Sequence, residues 1–146
     1  MTTAILCCNT LENELSRVLA ESGLNYPVVW LEAGLHNQPA RLREHISETL
    51  QEYGASQKPG RILLALGYCG GAVSQLGPFD FEMILPRAED CPSILMGSMG
   101  LRGLASGRRA RYFLTGGWLC PTENPNTSLS YLPDHFGRDK GGHIFK

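Results

Sequence analysis

The 146-residue sequence has no apolar run long enough to cross a bilayer as a helix. Its first ten residues, MTTAILCCNT, have neither a basic segment nor a long apolar stretch. They do not read as a secretory signal, and a cytoplasmic location is the default expectation. An excess of one charge is also missing: Lys and Arg total 13, Asp and Glu 14, for a formal net charge of −1. Without a basic stripe, neither nucleic acid nor an anionic membrane surface is expected as the main partner. The local cluster Arg102, Arg108, Arg109 and Arg111 reads as a solvated helix end. There is no C-x-x-C pair, no GK[ST] ending of a phosphate loop, no G-x-G-x-x-G and no G-x-S-x-G elbow. Five cysteines, an odd number without an export signal, argue against a disulfide framework and for thiols or metal ligands.

What is present is a globular composition, 42% apolar and 18% charged, in a chain of single-domain length. Pattern and breakers predict five short strands, at residues 3–8 (TAILCC), 26–31 (YPVVWL), 61–66 (RILLAL), 81–85 (FEMIL) and 112–115 (YFLT). Four helical stretches alternate with them. One follows Asn9 and Thr10, which can cap it, and ends near Gly23. A second runs over residues 39–53, with Pro39 in its first turn and Leu42, Ile46 and Leu50 on one stripe, before a polar turn at 54–60. A third begins at 72–76. A fourth starts at Pro92 and Ser93 and is weakened by Gly97, Gly100 and Gly103.

This alternation implies right-handed βαβ units. The expected fold is α/β: an open, mostly parallel five-stranded sheet with helices on both faces, Rossmann-like and three-layered. Strand order is not readable, and a doubly wound order is the default. Residues 1–120 read as a single domain. Residues 121–146, rich in Pro, Asn, Ser and Gly, read as a polar extension, compatible with docking on another subunit in an oligomer.

The cysteines fall in a pattern on these strands. Cys7 and Cys8 end the first, Cys69 follows the third in GYCGG, Cys91 follows the fourth in PRAEDC, and Cys120 follows the fifth. His36 lies after the second. In an open parallel sheet all these carboxyl ends share one edge, where ligands bind. Cys7 and Cys120 are as readily explained by packing. Cys8, Cys69 and Cys91 each sit at a break with a helix start following, which suits reactive or ligating thiols. Three thiolates from three loops suit zinc or an iron–sulfur cluster, with His36 as a candidate fourth ligand. Glu89 and Asp90 are candidate acid–base groups, with a helix-capping role as the plainer alternative. Gly70, Gly71, Arg87 and Trp118 are candidates for contacting a bound small molecule or cofactor. Two other readings stay open: a non-catalytic ligand-binding or accessory module, and a metal-free redox-active thiol protein with Cys69 as the reactive group.

Taken in order, Cys8 ahead of LENEL, Gly34-Leu35-His36-Asn37 with Pro39, GYCGG, PRAEDC, Gly97-Ser98 and YFLTGGW resemble one uncharacterised α/β family. It is catalogued as a domain of unknown function, and its members often accompany corrinoid-dependent methyltransferase systems. The resemblance spans about residues 4–120 and rests on the ordered set rather than on any one motif. It implies cysteines at Cys8, Cys69 and Cys91 and a histidine at His36. Family members usually have His where this chain has Glu89, which weakens a ligand or base role at that position. The resemblance implies a setting near methyl transfer, with corrinoid or methyltransferase components as candidate partners.

Overall fold

The computed structural model describes residues 2–104. The expectations for a strand at 112–115, for Trp118 and Cys120, and for the extension at 121–146 lie outside the described residues. Among those described, four parallel strands form one sheet in the order β2-β1-β3-β4, with β1 Thr3–Cys8, β2 Val28–Leu31, β3 Arg61–Ala65 and β4 Glu82–Ile84. The α/β class and the parallel sheet are as expected, with four strands described where five were expected.

β1 is central because its residues can be buried on both faces. Alternation sends Ala4 and Leu6 to one side, Ile5 and Cys7 to the other, and all four are buried. The first side is covered by α2 (Pro39–Gln57), whose Leu42, Ile46 and Leu50 pack with Leu31, Ile62 and Leu64. The second side takes Leu15 and Leu19 of α1 (Glu12–Ser22), together with Cys91 and Ile94 of α3 (Cys91–Leu104). Helices therefore lie on both faces, in three layers.

Three local expectations are corrected. The polar turn expected at 54–60 is in fact the last turn of α2, which continues to Gln57. Gly54 is there for packing: a Cβ on it would stand 2.7 Å from the Phe81 ring. The helix ends where Lys58 turns left-handed (φ 45°) ahead of Pro59. The helix expected from residue 72 is a turn, because Gln75 (φ 62°) and Gly77 (φ 102°) both leave helical space within five residues. The strand expected at 26–31 begins at Val28. Pro27 has no N–H to give the ladder, and its carbonyl accepts the Ile5 N–H at 2.9 Å. α3 is broken at Gly97 (φ 66°, ψ 168°), in line with the glycines that weaken it.

The order 2-1-3-4 defines the site. The chain leaves β1 toward β2, then crosses back to β3 on the far side of β1. The connection after β1, carrying α1, lies on one face, and the connection after β3, whose Ala72 packs in the core that α2 covers, lies on the other. Doubly wound sheets bind ligands in the crevice this opens beyond the strand ends.

Candidate functional site: a thiol centre at the switch point

The switch point of the sheet lies between the ends of β1 and β3. Cys8 is the last residue of β1, and Cys69 lies four residues past the end of β3. The third thiol arrives from the β4–α3 loop, which is fastened to the Cys69 loop backbone to backbone. Tyr68 N–H donates to the Ala88 carbonyl and Cys69 N–H to the Glu89 carbonyl, both at 2.9 Å. The fastening needs Gly67. A Cβ there would stand 2.4–2.6 Å from the Asp90 backbone, closer than any side chain permits. With the loops joined, Cys91 becomes the first residue of α3 and lies beside Cys69.

The Cys69 turn is left-handed throughout: Cys69 has φ 44°, Gly70 68° and Gly71 85°. Glycine accepts this freely, whereas cysteine does not. Gly70 also lies against α2, where a Cβ would meet Pro39 Cγ at 2.9 Å.

Cys91 is the middle thiol. It interacts with Cys69 on one side and with Cys8 on the other. The contact with Cys91, aided by the Gly67 amide, holds the Cys69 thiol below its ordinary range against burial and the neighbouring Cys8 and Asp90 charges. The same contact pushes Cys91 up, and burial adds to it. Cys8 is also pushed up, first by its hydrogen bond to Cys91 and then by burial. Its Sγ lies 2.8 Å from Thr10 Oγ1. Cys7 is wholly buried behind them, its thiol raised first by burial and then by the Cys8 and Cys91 charges. Of the four thiols Cys7, Cys8, Cys69 and Cys91, only that of Cys69 is shifted toward the ionised form.

The remaining sequence candidates are placed as follows. Asp90 Oδ1 accepts the Ser93 N–H at 2.8 Å and the Ser93 hydroxyl, so Asp90 caps α3. Its charge also acts on His36, a half-buried residue of the turn Leu35–Asn37 whose pKa burial lowers. His36 is thus brought within electrostatic reach of Asp90. Arg87 and Glu89 are exposed, and Glu89 enters the site through its backbone carbonyl. Among the described residues no ion pair joins Arg87 to Glu89 or Asp90. Gly70 and Gly71 shape the Cys69 turn.

Two residues of the site escaped the sequence reading. Thr10 looked like a helix cap but packs against Cys8. Arg43, one turn into α2, donates from Nη2 to the Gly71 carbonyl at 2.9 Å; no local motif marks an arginine for a carbonyl 28 residues away. A groove of about 480 Å³ at the other, amino edge of the sheet, beside Lys58, Phe79 and Phe81, is separate from the thiols.

The donor set is chemically right for a soft metal: three thiols from three loops, with polar groups around them. Their arrangement is pairwise through Cys91. Among the described residues, no three or more His, Cys, Asp or Glu side chains stand ready to hold an ion as a set.

Fold and site together define a doubly wound α/β protein with three neighbouring cysteines at its switch point. The chain belongs to the family described as Protein of unknown function (DUF1638), whose model matches residues 30–146. His36, Arg43, Cys69 and Cys91 fall within the match, while Cys8 precedes it. No curated protein and no solved structure matches the chain. Among the described residues no helix is long and apolar enough to cross a membrane.

Proposed function

We propose that the switch point is a metal-thiolate site, with Cys8, Cys69 and Cys91 as ligands of zinc or of an iron–sulfur cluster. One observation carries the reading: Cys8 at the end of β1, Cys69 in the turn after β3 and Cys91 at the start of α3 are neighbours, with Cys91 in the middle, at the edge where doubly wound sheets bind ligands. A bound metal would be held by Cys8, Cys69 and Cys91 as thiolates, their protons being released to solvent. His36, within electrostatic reach of Asp90, is a candidate for the fourth position, as is a small-molecule ligand. A bound metal would supply activation of a thiol, a methyl donor or water there. A partner drawn from corrinoid or methyltransferase systems rests on the family resemblance, and a soft-donor site is compatible with it.

The test is metal analysis of protein purified without oxygen. We expect about one zinc ion or one cluster per chain. A cluster would be distinguished by visible sulfur-to-iron charge-transfer absorption. Cys8→Ser, Cys69→Ser and Cys91→Ser should each lose the metal. Folded protein without stoichiometric metal, its folding unchanged in Cys69→Ser and Cys91→Ser, would overturn the reading.

A second reading has its own support. Cys69 held below its ordinary range, with buried Cys91 directly behind it, is the arrangement of an attacking thiol and its resolving partner. A metal-free protein whose Cys69 is alkylated faster than an ordinary thiol would favour it.

A further inference from the structure

We propose that Arg43 is a positioning residue of the thiol centre, clamping the exit of the Cys69 turn through the Gly71 carbonyl. The inference rests on reading the cysteine trio as functional, whatever the trio binds. The turn is one the chain would not adopt unaided: three successive residues have positive φ, and the first carries a Cβ. Two contacts hold its entrance and middle, the Cys69 N–H on the Glu89 carbonyl and Gly70 against Pro39. The exit, Gly71, donates its N–H to the Tyr68 carbonyl at 2.8 Å within the turn, and its carbonyl accepts both Arg43 Nη2 at 2.9 Å and the Ser74 N–H at 3.0 Å. Of these two donors, only Arg43 belongs to a different element. It is therefore what ties the turn's exit to α2.

Arg43 also serves nothing else in view. Its Nε is buried with no hydrogen-bond partner, and no ion pair among the described residues includes it. A half-buried guanidinium directed at a single carbonyl, its Nε sealed from solvent and with no ion-pair partner among the described residues, is unexplained by stability alone. It is explained if the position of that carbonyl matters. Releasing it lets Cys69 relax toward ordinary backbone angles, and its sulfur leaves Cys91.

The experiment uses phenylarsine oxide on the full, metal-free, reduced chain. One arsenical bridges two adjacent thiols, forming two S–As bonds and releasing one water, so its affinity reports how well the sulfurs are held together. Wild-type protein should bind it through Cys69, with Cys69→Ser as the control. Arg43→Met should weaken binding about tenfold or more while far-UV circular dichroism is unchanged, because the second thiol is no longer held at high effective concentration. Arg41→Met, at an exposed position on the same helix, should have no effect. Arg43→Lys keeps a donor and should recover most of the affinity.

A folded Arg43→Met variant with wild-type affinity overturns the proposal. So does an Arg43→Lys variant that binds as weakly as the methionine variant. So does failure of both variants to fold, which would make Arg43 a residue of the fold at large. Wild-type protein that does not capture the arsenical through Cys69 overturns it as well. Metal content does not enter this measurement. A protein that binds no metal yet shows the Arg43 effect loses the metal reading and keeps this one.

Discussion

At the scale of single residues, the centre depends on atoms that are absent. Gly67 allows the Cys69 loop and the β4–α3 loop to touch backbone to backbone. A methyl group there meets the Asp90 backbone, which cannot rotate away as a side chain would. Gly67→Ala should therefore destabilise the protein by about 3 kcal/mol, the upper end for overpacking, read from the urea midpoint. A change below about 0.5 kcal/mol, ordinary for a surface position, would show that the loops part easily. The sequence reading named Gly70 and Gly71 as candidates for contacting a ligand. That Gly67 and Gly70 accommodate Asp90 and Pro39 could not be read locally, because the partners lie 23 and 31 residues away.

At the scale of elements, α2 carries one face of the core. Its stripe was plain in the sequence because Leu42, Ile46 and Leu50 recur every four residues. Its true end was not, because Gly54 reads as a terminator until Phe81 is seen packed on it. The short stretch after Gly71 misled in the opposite sense: AVSQL has helical composition, but the closure to Gly77 leaves no length for a helix. Ile46 is fully buried between β1 and β3, so Ile46→Ala should cost about 3 kcal/mol in cavity and transfer terms. The same substitution at exposed Val18 of α1 should barely move the denaturation midpoint. Equal losses at the two positions would mean that α1 is as firmly seated as α2.

At the scale of the whole molecule, strand order turns scattered cysteines into one centre. The sequence showed that cysteines follow strands. It could not show the order 2-1-3-4, which depends on pairings between residues tens of positions apart, and so it singled out Cys8, Cys69 and Cys91 by their places at strand ends rather than by contact. The structure brings Cys8, Cys69 and Cys91 together and puts His36 within electrostatic reach of Asp90. Stability should follow pH accordingly. Burial lowers the His36 pKa in the folded state from the ordinary 6.5. The unfolded chain then binds the proton more readily, so acidification through 6.5 and below favours unfolding. His36→Gln should flatten this loss in a series of urea titrations between about pH 7 and 5, the range in which histidine changes charge. An identical pH slope in the variant would assign the acid sensitivity elsewhere.

The backbone bonds from Tyr68 and Cys69 to Ala88 and Glu89 have one more consequence. They close the intervening chain into a ring whose ends are fixed independently of its contour. Lengthening such a ring costs only about 0.6 kcal/mol per doubling. The exposed bend around Gln75 is thus a natural port for grafted sequence, where an epitope or reporter peptide could be carried while the sulfurs keep their places.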